Sequence, residues 1–385
     1  MTEKLYYQDA GIHEFTARVL ACESEGKHWS VILDRTAFFP EGGGQSADTG
    51  SIGDAQVLDV HEKGGVIRHT TDAPLPVGGE FACALDWEQR RRRMQNHSGE
   101  HVVSGLVRSR FGFENVGFHM GRDCMTMDYS GELDWEALTE IEQLANEAVR
   151  DDLPVRVWFP EPEELQTLEY RSKLELTENV RIVEIPGIDS CACCAPHVTS
   201  TGQIGVIKLL TAERHRGGTR VTALCGMDAL EDYRRRQESV AAISALLSVK
   251  RPDVAEAVER LLQEQERQKE RTLQLSRELV RLRAESIAPR EGNICLFDEL
   301  LGEIALRELV NLLMEKCTGI AAVFQGSDAE GYRYVIGSRH VDLRAASRAV
   351  NAGIGGRGGG SPTMIQGRAQ QSGDAIRTYI EGASF

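Results

Sequence analysis

His97-Ser98-Gly99-Glu100-His101 lies where this chain changes character, from a β-like pattern before Asp86 to a helical one that runs to about Gly112. On a helix, residues i and i+4 stack on one face, so His97 and His101 can aim both imidazoles at one point. Farther along, Cys193-Cys194-Ala195-Pro196-His197 repeats the four-residue spacing. A cysteine and a histidine four apart in a loop or turn can close the other half of one coordination sphere. Three imidazole nitrogens and one thiolate suit zinc. The spacings therefore predict one zinc ion on His97, His101, Cys193 and His197. Four protein ligands would make that zinc structural and three plus water would leave it catalytic; spacing leaves the two open. A zinc protease is excluded, because its pattern His-Glu-x-x-His puts the general base directly after the first histidine. Here Glu100 precedes the second.

Upstream, residues 1–86 read as β structure, a barrel-like domain. The β-rich runs Trp29–Leu33, Gln56–Val60 and Val66–His69 are broken by glycines, with Gly64-Gly65 a hairpin turn. Pro40-Glu41-Gly42-Gly43-Gly44-Gln45 fits no regular element. Its three successive glycines either let a ligand approach main-chain N–H groups closely or mark a plain surface turn. Downstream, residues 87–226 predict an α+β metal-binding domain. It holds a second helix from Asp134, the N-cap, to Arg150, and strands at Val155–Phe159, Val180–Ile185 and Ile204–Leu210 around the Cys191–His197 loop. Residues 227–288 are helical and charged, with a break at Pro252. A heptad-like seam runs through Val254, Val258, Leu261, Gln265, Gln268, Thr272, Leu275, Leu279 and Leu282; its polar middle predicts a hairpin or stalk with a weak coiled coil. Residues 289–385 return to α/β character, with strands at Ile294–Phe297, Ile320–Phe324 and Tyr334–Gly337. Six glycines among the eight residues 353–360 surround Arg357. They predict a loop that sets bare backbone and an arginine against something anionic, unless it is a linker. The fold class of the whole is α+β.

The 385 residues suffice for two or three domains with their own cores. A hydrophobic fraction of 41% and a charged fraction of 27% are those of a soluble globular protein. No basic region followed by an apolar run opens the chain, and no stretch is apolar enough to span a bilayer, so no membrane is expected. Nine cysteines, scattered apart from Cys191, Cys193 and Cys194, suit thiols kept reduced in the cytoplasm. The net charge of −15 argues against indiscriminate nucleic-acid binding. Phosphate contacts depend on local patches, however. Arg90, Arg91, Arg92 and Arg93 form one such patch, or else a solvated helix face. Seven arginines against three acids from Gly331 to Phe385 form another, which includes Arg357 beside Gly358 and Gly359.

Taken in order, these motifs resemble a known family. Gly42-Gly43-Gly44-Gln45 with Asp48-Thr49-Gly50, then His97-x-x-x-His101, then Cys193-x-x-x-His197, resemble the signature of the alanyl-tRNA synthetase editing domain and of the freestanding AlaX family of trans-editing proteins. The glycine-rich stretch Gly355–Gly367 resembles the end of the C-terminal domain of alanyl-tRNA synthetases, a domain also found in DHH-type phosphoesterases. The resemblance covers nearly the whole chain, although 228–288 matches only in helical character. The second metal motif of the family usually reads Cys-Gly-Gly-Thr-His, and Cys194, Ala195 and Pro196 depart from it. The register of a cysteine four before the histidine selects Cys193 over Cys191 and Cys194.

The resemblance implies hydrolysis, not synthesis, of aminoacyl-tRNA: the clearing of tRNA(Ala) that carries serine or glycine. Residues 1–86 are expected to hold no class II synthetase core, and the chain leaves no room for an aminoacylation domain. An aminoacyl ester is already activated, so a positioned water and some charge stabilisation suffice. Gln45 and the N–H groups of Gly43 and Gly44 are candidates to hold the ester carbonyl or the ribose hydroxyls, and the metal could polarise water or substrate. No serine–histidine nucleophile couple is recognisable, so direct attack by water is expected. The tRNA would meet Arg90, Arg91, Arg92 and Arg93 together with Arg357, Gly358 and Gly359. The amphipathic stalk or the C-terminal domain would pair two chains as a homodimer. The alternative is a tRNA-binding module with a structural zinc and no hydrolysis.

Overall fold

The change of pattern at Asp86 is the boundary between a β-barrel and a long helix in the computed structural model, which describes residues 2–121, 123–172 and 180–384. The strands before it are β1 (Glu3–Lys4), β2 (Glu14–Glu25), β3 (His28–Leu33), β4 (Arg35–Thr36), β5 (Gly50–Ile52), β6 (Ala55–Lys63), β7 (Val66–Thr71) and β8 (Glu80–Leu85). Six of them close a barrel in the order β2-β3-β7-β6-β5-β8, with every neighbour antiparallel. Gly64 and Gly65 join β6 to β7 with φ of 60° and 76°. Two positive φ values in a two-residue loop match the twist of the flanking strands, as the sequence predicts. Inside the barrel, Val31, Leu33, Ile52, Val60 and Ile67 are fully buried around Phe38.

His69 is buried in the same core. Its Nε2 lies 2.8 Å from Thr36 Oγ1 and its Nδ1 3.1 Å from the Val31 carbonyl, so the neutral ring donates from Nδ1 and accepts at Nε2. Burial, against a smaller opposing effect of the Val31 bond, lowers its pKa from 6.5 to about 4. A histidine depressed in the fold contributes stability above its unfolded pKa, lost as pH falls. We expect stability to drop between about pH 6.5 and 4 by up to about 3 kcal/mol. Urea unfolding of His69→Gln over that range should give a visibly flatter pH dependence; parallel curves would remove His69 as the cause.

Helix α1 (Trp87–Phe111) starts where Asp86 accepts from Gln89 N at 3.1 Å, and α2 (Trp135–Arg150) where Asp134 accepts from Ala137 N at 2.8 Å. Both pack on a sheet of order β14-β15-β10-β9, built from β9 (Asn115–Met120), β10 (Met125–Tyr129), β14 (Ile207–His215) and β15 (Gly218–Cys225). Between them run β11 (Arg156–Trp158), α3 (Pro162–Leu165), β12 (Ile182–Ile185) and β13 (Asp189–Ala192); the strands form an antiparallel sheet β11-β12-β13. The strand predicted from Ile204 begins at Ile207, because Thr201–Ile204 is a 3₁₀ turn.

The described chain falls into two compact units, Met1–Ala241 and Ala242–Phe385. Helix α4 (Gly226–Leu247) runs through the boundary, and α5 (Val254–Glu285) follows the break at Arg251–Asp253. Of the heptad seam, Leu261, Leu275 and Leu282 are exposed, whereas Val280 and Ala284 of α5 are buried against α6 (Glu303–Leu313). In the second unit β16 (Ile294–Phe297), β17 (Ala321–Ser327), β18 (Gly331–Gly337), β19 (Gly356–Gly360) and β20 (Met364–Ala369) form a sheet ordered β16-β17-β18-β20-β19. Helices α7 (Leu343–Gly353) and α8 (Gly373–Gly382) share a second core with its residues Phe324, Tyr334 and Ile365.

The glycine-rich segment is therefore no loop. It is the edge strand β19, paired with β20 from Gly356↔Ala369 to Gly360↔Ile365. A ladder needs only backbone, and at Gly358 a side chain is excluded: a Cβ there would stand 2.3 Å from Tyr334 Oη. Arg357, Gly358 and Gly359 remain exposed. No helix among the described residues is long and apolar enough to cross a membrane.

Candidate metal centre

Helix α1 delivers His97 and His101 one turn apart, and the loop leaving β13 delivers Cys193 and His197. Their ligand atoms all lie within 4.8 Å of one another. Cys193 Sγ is 3.6 Å from His97 Nε2 and 3.3 Å from His197 Nε2. Two ligands of a tetrahedral zinc stand about 3.5 Å apart, so this spacing suits the metal.

The far side of each ring supports the same conclusion. His97 Nδ1 is 3.0 Å from Gln45 Oε1, His101 Nδ1 is 3.0 Å from Asp189 Oδ2, and His197 Nδ1 is 3.0 Å from Ser98 Oγ. The acceptors at Nδ1 of His97 and His197 fix the proton there and turn each Nε2 lone pair toward Cys193 Sγ, and the Asp189 carboxylate beside His101 Nδ1 favours the same tautomer by its charge. All three histidines are buried, and burial, with the neighbouring His101 and His97, lowers the pKa of His197 well below its usual value. That keeps the ring neutral, the form that ligates. Burial pushes the Cys193 thiol up, so taking up a metal would release its proton.

Asp189, Arg171, Ser98 and Glu100 complete the surroundings, and no sequence motif pointed to the first three. Asp189 accepts from Arg171 Nε and Nη2 at 2.7 Å each. Burial alone would raise its pKa, but the bonds from Arg171 and His101 overcome it and bring the value to about 2. Burial likewise works to raise Glu100, and the charges of Arg171, His101 and His97 outweigh it and hold the carboxyl below its ordinary value. His101, Asp189 and Cys191 also cluster, but the Arg171 fork already occupies Asp189.

Residues 42–45 form a tight turn, closed by Gly42 N to Gln45 O and Gln45 N to Gly42 O, 3.0 Å each. Gly43 and Gly44 take φ of 60° and 82°. A Cβ on Gly44 would meet Phe118 O at 2.7 Å. The turn sets Gln45 against His97, buried, with its Nε2 unpartnered among the described residues. Gly43, Gly44 and Cys194 are exposed beside it; a Cβ on Gly43 would lie 3.7 Å from Cys194 Sγ. Cys194 thus faces the turn and stays outside the ligand group.

The structure does bring a serine and a histidine together, Ser98 and His197. Ser98 Oγ is fully buried and also accepts from Val198 N at 3.2 Å. It cannot reach a substrate as a nucleophile.

The arginine run needs correction. Arg90 is 0% exposed; Nε donates to Asp48 Oδ2 at 2.9 Å, and its other nitrogens reach Asp48 and the carbonyls of Ala10 and Ala37. It therefore cannot bind phosphate. Arg93 is turned to the Ala47 carbonyl and Asp48, and Arg92 pairs with Asp228. Of the four, Arg91 alone is exposed, with Arg92 and Arg93 half-buried.

Comparison with known proteins places these features. A family model described as the threonyl and alanyl tRNA synthetase second additional domain matches residues 180–222, which include Cys193 and His197. A model for class II (A) tRNA synthetases matches residues 2–89. That second match falls on the barrel and the first turn of α1, where the sequence reading expects no synthetase core. The chain is 33% identical to an alanine–tRNA ligase of Methanopyrus kandleri over 95% of its own length and 42% of the ligase. It is 27% identical to the alanyl-tRNA editing protein AlaX-L of Pyrococcus horikoshii, over 98% of this chain and 96% of that one. A solved C-Ala domain from Aquifex aeolicus alanyl-tRNA synthetase aligns at 18% identity and a TM-score of 0.21, covering 25% of this chain and 96% of that one. The chain spans about two fifths of the length of the ligases it matches. Over nearly its whole length the chain is similar to alanine–tRNA ligases and to an alanyl-tRNA editing protein, and its residues 180–222 match the second additional domain of threonyl and alanyl tRNA synthetases.

Proposed function

We propose that this chain is a trans-editing aminoacyl-tRNA hydrolase of the cytoplasm that removes serine or glycine from mischarged tRNA(Ala) at a zinc-holding site. The observation that carries the reading is the convergence of His97, His101, Cys193 and His197 beside the Gly42–Gln45 turn. Bound zinc would supply a positive charge able to polarise an ester carbonyl or a water. In this reading the N–H groups of the exposed Gly43 and Gly44 would receive the carbonyl oxygen, and Gln45 Nε2, which has no hydrogen-bond partner among the described residues, would be a further donor. With Ser98 sequestered, the attacking group is water. Incubating the protein with Ser-tRNA(Ala) and Gly-tRNA(Ala) and following deacylation tests this; both substrates surviving intact would overturn it.

A second reading has its own support. Four protein ligands close a zinc sphere, as in structural sites, which favours a tRNA-binding module without hydrolysis. Gln45 separates the two. As the acceptor for His97 Nδ1, its loss in Gln45→Ala should weaken zinc about ten- to hundredfold. At saturating zinc, deacylation should stay slower than in the wild type, by on the order of a hundredfold; an unchanged rate there leaves Gln45 structural.

Contacts to the tRNA body fall to Arg91 and to Arg357, Gly358 and Gly359 of β19. Deleting everything after residue 288 would strip α6 from Val280 and Ala284 of α5, so a point substitution is the cleaner probe. Arg357→Ala should weaken tRNA(Ala) binding and lower the log–log salt slope by about 0.9. An unchanged slope removes Arg357 from the interface. The exposed seam leucines of α5 are the surface we assign to a homodimer, testable by sedimentation.

A further inference from the structure

The charges around His101 form a closed circuit. Arg171, Asp189 and Glu100 are all buried. Arg171 presents Nε and Nη2 to the two oxygens of Asp189, 2.7 Å each. Asp189 Oδ2 lies 3.0 Å from His101 Nδ1, and Glu100 Oε2 lies 3.7 Å from His101 Nε2. Arg171 Nη1 closes the ring at 3.9 Å from Glu100 Oε1, which also accepts from Ser104 and Asn115 at 2.7 Å each. One guanidinium therefore serves two carboxylates that flank the same imidazole.

The backbone of Arg171 is tied to the same strand. Its N donates to Ser190 O at 2.7 Å and its carbonyl accepts from Ala192 N at 2.8 Å, an extra rung alongside β13. That strand begins with Asp189 and runs straight into Cys193. Side chain and main chain of one residue thus brace both the outer partner of His101 and the root of the ligand loop.

We infer that Arg171 is a positioning residue of the metal centre: its two-pronged hold aims Asp189 at His101 Nδ1 and so fixes His101 Nε2 toward the other three ligand atoms. Lysine cannot replace it, because an ammonium offers no planar fork. Without the guanidinium, two buried carboxylates face each other across His101 uncompensated. This inference rests on the metal reading proposed above.

The test compares the full chain with Arg171→Met, Arg171→Lys and Arg171→Met/Asp189→Asn. Zinc affinity is read by chelator competition, and ligand geometry by the visible spectrum of the cobalt(II)-loaded proteins. Arg171→Met should bind zinc about ten- to hundredfold more weakly and shift the cobalt bands. Arg171→Lys should fall between it and the wild type. The double variant should recover part of the loss, since a side-chain amide in place of the Asp189 carboxylate still offers an oxygen to His101 without leaving a buried charge unpaired. If Arg171→Met does not fold, Arg171→Lys and the double variant decide. Wild-type affinity and spectrum in Arg171→Met, or in Arg171→Lys where that variant decides, overturns the inference. So does a lower melting temperature of the zinc-free protein with zinc affinity unchanged, which makes Arg171 merely structural. A wild-type chain that takes up no zinc would instead overturn the metal reading itself.

Discussion

Cys193→Ala is expected to lose most of its zinc, the largest single effect on the site. Of the four candidate ligands, Cys193 alone can carry a negative charge. Its sulfur stands 3.3 Å and 3.6 Å from two of the three nitrogens. Loss of an outer partner commonly weakens a metal ten- to hundredfold, and loss of a ligand should cost more than about a hundredfold. Metal analysis after dialysis reads this directly, with His101→Ala as a second ligand variant. Cys194→Ala is the control, because that thiol is exposed and faces the Gly42–Gln45 turn. It should keep its zinc. Full occupancy in both Cys193→Ala and His101→Ala would sink the ligand assignment, and loss in Cys194→Ala would shift the register.

Arg90→Met should be the most destabilising change in the arginine run, by about 3–5 kcal/mol. Arg90 and Asp48 are both nine-tenths buried or more, and Asp48 Oδ2 also accepts from Phe39 N at 2.7 Å. Removing the guanidinium leaves the buried Asp48 carboxylate, in the junction between the barrel and α1, with Arg93 at 3.6 Å as its remaining cation among the described residues, and frees the carbonyls of Ala10 and Ala37. Arg91→Ala, one position on and exposed, should change stability by no more than about 0.5 kcal/mol. Urea unfolding at neutral pH compares the two. If Arg90→Met costs under about 1 kcal/mol, the buried pair has been misjudged. The opposite pattern in tRNA binding, weakened by Arg91→Ala alone, would assign the phosphate contact to the exposed residue.

Much of the fold was legible because its signals are local. The α1 and α2 starts were marked by Asp86 and Asp134, each bonded to an N–H three residues on. The turn at Gly64-Gly65 was marked by two residues free to take positive φ, and β16 appears at Ile294–Phe297 as predicted. The β19 segment misled for a physical reason: six glycines carry no side-chain pattern, so strand and loop look alike until β20 supplies the partner.

That His97 meets His101 and Cys193 meets His197 could be read from residue order alone, since a spacing of four brings two side chains together within a short stretch of backbone, whatever surrounds it. So could the barrel-to-helix switch, through periodicities that hydrogen bonds within a few residues enforce. How those ligands are held, and which charges are free, was settled by packing. Consecutive residues on a helix point about 100° apart, so four arginines in a row meet different surroundings, and the partner that buries Arg90 lies 42 positions away. Gln45 meets His97 across 52 positions, Ser98 meets His197 across 99, and Arg171 meets Asp189 across 18. Contacts at such separations depend on how barrel, helix and sheet pack, and no local pattern of residues encodes that packing.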